Sequence, residues 1–156
     1  MPMLLDDKIG KKKIEEVAAN HRGRELPVIH ENALLKDIVE GMIRFGHSRI
    51  LYVVDDEGSL LGTISLGEIV RHAFSRSHEP RIHPRRLMST INVENARHMM
   101  QEHSVFAKAG EEIRVVLVRM IRANVKEIAI IDDENRIVGD ITMLDLLKFL
   151  LVQKEP

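Results

Sequence analysis

The sequence has no cysteine, no tryptophan and no long apolar run. The absence of cysteine excludes disulfide bonds, thiolate nucleophiles and cysteine metal ligands. Aromatic residues make up only 3% of the 156 residues, which disfavours the base-stacking surfaces of proteins that bind single-stranded nucleic acid. No apolar run approaches the ~20 residues that a membrane-spanning helix needs. We therefore expect a soluble, cytoplasmic protein with no membrane partner.

The sequence also has no excess of charge of one sign. Its 23 basic and 24 acidic residues leave a net charge of -1, so no global field attracts nucleic acid or an anionic membrane. We expect no nucleic-acid partner. Hydrophobic residues make up 44% of the chain, enough for a buried core in one compact unit or in two small ones.

Signatures of catalysis and of metal binding are missing as well. There is no Gly-x-x-x-x-Gly-Lys phosphate loop and no recognisable pair of nucleophile and base. His78 and His83 flank Pro80, while His98 and His103 would point about 140° apart on an ideal helix. Neither pair shares one helical face. We expect no enzyme activity, no catalytic residues, no metal site and no required cofactor.

An internal repeat is the strongest signal in the sequence. Met42-Ile43-Arg44 recurs as Met120-Ile121-Arg122, and Asp55-Asp56-Glu57 recurs as Asp132-Asp133-Glu134. The second spacing is one residue shorter than the first. Because tripeptides, turn residues and hydrophobic period all agree, chance similarity is a poor explanation. Each copy is predicted to have the order β-α-β-β-α.

The repeat defines a domain organisation. We expect a lead-in at residues 1–24, a first repeat at 25–76, a connection with helices at 77–104 and a second repeat at 105–153. Apolar periodicity and turn residues predict helices at 11–20, 34–43, 66–74, 85–88, 93–100, 113–121 and 143–151, and strands at 26–29, 50–54, 60–64, 105–107, 128–131 and 137–141.

A corner motif ends each repeat. Gly139 closes an apolar strand, the hydroxyl of Thr142 follows three positions later, and the carboxylate of Asp145 lies one helical turn beyond. The segment 62–68 repeats this spacing with a glycine, a serine and a glutamate. At a helix N-terminus such a hydroxyl can hold a phosphate, and the carboxylate can accept hydrogen bonds from ribose hydroxyls. Both motifs also match the capping-box pattern, so their alternative role is only to start a helix.

The two units resemble a tandem pair of cystathionine β-synthase (CBS) domains, an arrangement called a Bateman module. The resemblance covers residues 10–152 and rests on the element order, on the strands at 51–55 and 128–132 and on the two corner motifs. It implies an α+β fold in which two repeats pack through their sheets with pseudo-twofold symmetry. It also implies a regulatory module whose two clefts bind an adenosine-containing ligand such as AMP, ADP, ATP or S-adenosylmethionine.

The resemblance assigns residues to two ligand sites. In site 2, Thr142 would contact phosphate, Asp145 would contact the ribose hydroxyls, and the other members would form the cleft wall and the adenine pocket. Site 2 comprises Val105, Phe106, Ile128, Ala129, Asp140, Ile141, Thr142 and Asp145. Site 1 comprises Val28, Leu51, Tyr52, Thr63, Ile64, Ser65 and Glu68. We expect ligand in site 2 first, because the extra methylene of Glu68 moves its carboxylate by over ~1 Å.

Two functional hypotheses remain open from the sequence. The first is a ligand-sensing module that forms a homodimer and passes its signal to an unidentified regulated protein. The alternative is a structural dimerisation module with degenerate, empty clefts, in which both corner motifs serve only as helix caps.

Overall fold

The computed structural model of the chain describes residues 6–75 and 94–154. These residues form two compact units. The first-repeat unit is Pro27–Ser104, and the second-repeat unit combines Met1–Leu26 with Val105–Pro156. The lead-in therefore belongs to the same unit as the second repeat. The helix predicted at 85–88 lies outside the described residues.

Both units have the β-α-β-β-α order predicted from the repeat, and the mixed α and β fold class is confirmed. The elements in chain order are α1 (Asp7–Gly10), α2 (Ile14–Ala18), a 3-10 turn (Ala19–His21), β1 (Val28–His30), α3 (Leu35–Arg44), β2 (Ile50–Val54), β3 (Leu60–Ser65), α4 (Leu66–Ser75), α5 (Ala96–Met99), β4 (Phe106–Lys108), α6 (Ile113–Ala123), β5 (Glu127–Ile131), β6 (Ile137–Thr142) and α7 (Met143–Lys154). The sheets have the orders β1-β2-β3 and β4-β5-β6. In each sheet the first pair of strands is parallel and the second pair is antiparallel.

The two hairpins are built by the same turn chemistry. The carboxylate of Asp55 accepts hydrogen bonds from the amides two and four residues later, at 3.0 and 2.9 Å. Asp132 does the same in the second repeat, at 2.9 Å for both amides. The position that needs positive φ is Gly58 in one turn (+82°) and Asn135 in the other (+64°). Glycine and asparagine tolerate this conformation best, so the turn is kept although the residue differs.

Each unit has its own hydrophobic core between its sheet and its helices. The branched side chains that alternate along the strands supply one wall, and the apolar stripes of the helices supply the other. The first-repeat core contains Ile38, Leu51, Val53, Ile64, Ile69 and Ala96. The second-repeat core contains Ile9, Ile14, Val17, Ala107, Ile113, Val116, Met120, Ile128, Ile130, Ile141, Leu146, Phe149 and Leu150.

The lead-in is part of the second-repeat core. The amide of Ile14 donates to the carbonyl of Glu111 at 2.8 Å, and the amide of Ile113 donates to the carbonyl of Lys12 at 2.8 Å. These bonds hold the start of α2 against the loop before α6. The side chains of Ile14 and Val17 are fully buried. Residues 12–17 are therefore anchored both by their backbone and by their apolar side chains.

The segment 94–104 docks on the first repeat in a similar way. The amide of Ala96 donates to the carbonyl of Ala33 at 2.8 Å, and the side chain of Ala96 is fully buried. The helix predicted at 93–100 is only the four residues of α5. It ends early because Gln101 exchanges two backbone hydrogen bonds with Thr63, at 2.8 and 3.0 Å, which requires an extended chain. Within the described parts of the chain, no helix has the length and apolar character needed to cross a membrane.

Candidate functional site

The register of the second sheet separates the predicted site 2 residues into two faces. Phe106, Ala129 and Asp140 lie side by side in one row across β4, β5 and β6. The neighbouring row contains Ile128 and Ile141, whose side chains point the other way into the core. Successive residues of a strand face opposite sides of the sheet, so all five side chains cannot line one surface. The structure brings together Phe106, Ala129 and Asp140, and places the two isoleucines behind them.

The first sheet repeats this arrangement. Val28, Tyr52 and Thr63 form the equivalent row across β1, β2 and β3. Leu51 and Ile64 pair in the neighbouring row and belong to the core. Tyr52 is only 1% exposed, so its ring is enclosed within the protein. Tyr52 stands at the position that Ala129 occupies in the second sheet.

The corner motif of the second repeat is a complete capping box. The amide of Asp145 donates to Oγ1 of Thr142 at 3.1 Å, and the amide of Thr142 donates to Oδ2 of Asp145 at 2.9 Å. The amide of Met143 donates to the carbonyl of Lys126 at 2.7 Å. Three of the amides at the start of α7 are thus already satisfied by the protein. Because these amides already have acceptors, a phosphate at this corner would have to be bound mainly by cationic side chains.

Arg24 from the lead-in forms a bidentate ion pair with Asp145. Its Nη1 donates to Oδ1 at 3.1 Å, and its Nη2 donates to Oδ2 at 2.8 Å. The same Nη2 lies 3.3 Å from both the carbonyl oxygen and Oδ1 of Asp140. The side chains of Arg24 and Asp145 are only 20% and 13% exposed. Solvent screens this pair much less than it screens an ordinary surface ion pair.

The pKa values of this pair are shifted in the direction that favours both charges. Burial of the Asp145 carboxyl raises its pKa, but hydrogen bonds from Arg24 and from the Thr142 amide, with the charge of Arg24, outweigh burial and lower the pKa to about 2. Burial of the guanidinium works to lower the pKa of Arg24, but the contacts with Asp145 and Asp140 raise it above its usual value. Both groups are therefore charged at neutral pH.

His21 lies beside this pair. Its Nε2 is 2.8 Å from the carbonyl oxygen of Asp140, and because a carbonyl only accepts, Nε2 carries the proton. Its Nδ1 is 4.0 Å from Oδ2 of Asp145, too far for a hydrogen bond. The turn that presents both side chains needs a glycine, since Gly23 has φ +87°. The helix predicted at 11–20 ends just before this turn, and neither His21 nor Arg24 is among the predicted site residues.

Two cavities meet at His21 and Arg24. One has a volume of about 430 Å³ and is bounded on the sheet side by Ile130, Val138, Gly139 and Asp140. The other has a volume of about 340 Å³ and is lined by Asp145, Lys148 and Phe149. Both volumes lie in the range of small-molecule sites. Val105 is separate from both, because it lines a larger cavity of about 780 Å³ along α6 with Val115 and Val118.

The corner motif of the first repeat differs from its copy. The amide of Glu68 donates to Oγ of Ser65 at 3.2 Å, which is one half of a capping box. The Oε2 atom of Glu68 is buried, and no donor among the described residues reaches it. Glu68 lines a cavity of about 390 Å³ together with Arg71 and His98. This carboxylate is therefore an available acceptor in the described structure, whereas both oxygens of Asp145 are engaged.

The two motif glycines have different roles. A Cβ at Gly62 would lie 2.4 Å from the carbonyl oxygen of Gln101, because Gln101 forms an antiparallel bridge with the next residue of β3, Thr63. A Cβ at Gly139 would meet only ordinary contacts, the nearest at 3.5 Å to Ile130. Close approach by the protein's own backbone thus explains Gly62. Gly139 instead lines the 430 Å³ cavity.

Known proteins match this chain in sequence and in fold. The model of the CBS domain matches residues 18–75 and 92–152. The chain is 26% identical over 139 residues to the uncharacterized protein MJ1225 of Methanocaldococcus jannaschii. The match covers 86% of this chain and 47% of MJ1225, so the chain spans about half the length of this relative. The solved structure of CBSX2 in complex with AMP has a TM-score of 0.73 at 14% identity, covering 92% of this chain and 98% of CBSX2. The CBS domain pair of MJ0100, solved with 5'-methylthioadenosine and S-adenosyl-L-methionine, has a TM-score of 0.68 at 18% identity, covering 92% of this chain and 98% of that one.

Proposed function

The chain belongs to the CBS domain family and carries two copies of the domain, and from this premise we propose that it is a regulatory module that binds an adenosine-containing nucleotide. The proposed ligand is of the AMP, ADP or ATP type. The sensing role is proposed instead of catalysis because the two corner motifs supply hydrogen-bonding groups but no nucleophile with an adjacent base.

The duplicated corner is the observation that carries this proposal. In both repeats a strand delivers a hydroxyl and a carboxylate to the first turn of a helix, beside a row of residues across the sheet. A carboxylate at that place can accept from both hydroxyls of a ribose. The relatives solved with AMP and with S-adenosyl-L-methionine share the fold in which these corners occur.

Thermal denaturation in the presence of ligands tests the proposal. A ligand that binds only the folded state at a hundred times its dissociation constant adds ~2.7 kcal/mol to the free energy of unfolding. We expect AMP, ADP or ATP to raise the midpoint of unfolding of the wild-type chain. Asp145→Ala should reduce this shift, because alanine has no acceptor for a ribose. Asp133→Ala is the matched control, since Asp133 is 98% exposed and lies in the hairpin turn at the opposite end of β6 from the corner.

A structural dimerisation module is the second candidate. The observation that favours it is the complete capping box of Thr142 and Asp145, which already gives both residues a role in the folded chain. Exposed apolar side chains on α4, α6 and α7 support a homodimer under either proposal. They include Val70 and Phe74, Val118 and Ile121, and Leu144, Leu147 and Leu151. A nucleotide-independent dimer in analytical ultracentrifugation, with no thermal shift by any adenosine compound, would favour this candidate over the first.

The output of the module is proposed to be control of a separate protein or of a further domain. The aligned relative is about twice as long as the matched region, so a single pair of CBS domains is compatible with a part of a larger regulator. The cytoplasmic location expected from the sequence belongs to this proposal. Affinity purification with and without AMP, followed by mass spectrometry, would identify a regulated protein by its nucleotide-dependent recovery.

A further inference from the structure

The ion pair with Arg24 occupies the oxygens that a ribose would need. Arg24 donates to both oxygens of Asp145, and the Thr142 amide also donates to Oδ2. A carboxylate that faces a guanidinium through two parallel hydrogen bonds presents its best acceptor directions to that group. Two ribose hydroxyls can therefore reach Asp145 only after Arg24 has moved.

Arg24 has space in which to move. It stands at the boundary of the 430 Å³ and 340 Å³ cavities. Its Nε atom is buried, and no acceptor within the described parts of the chain lies in hydrogen-bonding reach of it. The backbone beneath it is held, because the Arg24 amide donates to the carbonyl of His21 at 3.1 Å. The side chain can thus change partner while the turn stays in place.

The cost of this movement depends on the ligand. A partly buried guanidinium that loses its carboxylate partner and gains nothing is strongly unfavourable. A phosphate offers a new bidentate acceptor to the displaced guanidinium. An uncharged nucleoside offers none. The sulfonium group of S-adenosylmethionine, which follows the ribose where AMP has its phosphate, is itself a cation and offers the displaced guanidinium no acceptor.

We propose that Arg24 is a specificity-determining residue, which releases Asp145 to a ribose only when the ligand supplies a phosphate. Site 2 then takes phosphorylated adenosine compounds in preference to adenosine and S-adenosylmethionine. This inference rests on the proposed nucleotide binding and adds to it the chemical class of the ligand. It also gives the lead-in a function beyond its contribution to the core.

The preference has a measurable size. Every 1.4 kcal/mol of binding free energy changes the dissociation constant about tenfold, and a charge-assisted contact contributes on this scale. The closed ion pair also lowers the apparent affinity, in proportion to the fraction of molecules in which the pair is open. We expect wild-type protein to bind AMP at least about tenfold more tightly than adenosine. In Arg24→Gln, adenosine should bind about tenfold more tightly than to the wild type, and AMP should lose most of its advantage.

Isothermal titration calorimetry with AMP, adenosine and S-adenosylmethionine tests the inference on the full chain. Arg24→Lys separates the two roles of the residue, since lysine keeps the charge but lacks the planar fork. It should bind adenosine better than wild type does and still prefer AMP. Arg136→Gln is the matched control, because Arg136 pairs with Asp132 at 3.2 Å in the same unit, at the hairpin end of β6. This control should keep the wild-type ratio of the two affinities.

The outcomes distinguish this inference from the proposal on which it rests. An unchanged ratio of AMP to adenosine affinity in Arg24→Gln, with binding of both intact, overturns the role of Arg24 and leaves nucleotide binding standing. Absence of binding by every compound to wild type and to both variants overturns the two together. Circular dichroism of each variant establishes that it is folded before its affinities are compared.

Discussion

Replacing Asp145 with asparagine should destabilise the protein in a way that depends on pH. The substitution keeps the shape of the side chain and an acceptor for the Thr142 amide, but it removes the charge that pairs with Arg24. The pKa of Asp145 in the folded protein is about 2, against an ordinary value of 3.8. A shift of this size corresponds to about 2 kcal/mol of stability at neutral pH, as an upper value.

The sign of the pH dependence follows from the lowered pKa. A carboxylate whose pKa is lower in the folded state than in the unfolded state stabilises the fold above its unfolded pKa. The contribution of Asp145 is therefore fully present above about pH 5 and is lost as the pH falls from 3.8 through about 2. The difference between wild type and Asp145→Asn should fall to roughly half its neutral value by pH 3.

Urea denaturation at pH 7 and at pH 3, followed by circular dichroism, measures both quantities. Asp133→Asn is the matched control, because Asp133 is 98% exposed and meets Lys108 only at 3.6 Å. It should change the free energy of unfolding by less than about 0.5 kcal/mol at either pH. A similarly small effect of Asp145→Asn at pH 7 would show that the ion pair with Arg24 does not stabilise the fold, and a difference that does not shrink at pH 3 would show that the charge of Asp145 is not its source.

Two further predictions concern the backbone and are measured by the same denaturation assay. Gly62→Ala should lower the free energy of unfolding by about 1–3 kcal/mol, because its Cβ would lie 2.4 Å from the Gln101 carbonyl oxygen. Gly139→Ala should change the free energy of unfolding by less than about 1 kcal/mol, because the nearest contact of its Cβ would be at 3.5 Å. Equal costs at the two glycines would contradict this account. Asn135→Ala should cost ~1 kcal/mol and Asn135→Gly should not, since this position has φ +64°; a neutral alanine would show that the turn relaxes.

Local chemistry explains what the sequence predicted well. The two hairpins were predictable because an aspartate and a residue that tolerates positive φ lie within four positions of each other in each copy. The helix after each motif was predictable because the hydroxyl and the carboxylate that cap it are three residues apart. These interactions need no knowledge of the rest of the chain.

Interactions between distant parts of the chain explain what was missed. Arg24 and Asp145 are separated by 121 positions, and nothing near either residue indicates that they pair. Gln101 and Thr63 are also far apart in the sequence. Their backbone pairing ends α5 at a point where helical periodicity predicted that the helix continues. The corner motif therefore indicated a site, but it could not show that one carboxylate is engaged and the other is not.

The predicted site residues show the same difference between local and distant interactions. The motif identified Thr142 and Asp145, which the structure places together. Residues taken from the strands were a mixed set, because strand alternation sends Ile128 and Ile141 to the core while Ala129 and Asp140 share the opposite face. The predicted role of each residue in ligand binding stays a prediction until a ligand is measured.

A calorimetric titration of the wild-type chain with AMP, repeated on Asp145→Ala, measures whether the module binds an adenine nucleotide at its second corner. We expect saturable binding by the wild type and a clear loss of affinity in the variant, because the acceptor for the ribose hydroxyls has been removed. Absence of saturable binding by the folded wild-type chain at millimolar AMP would contradict this expectation.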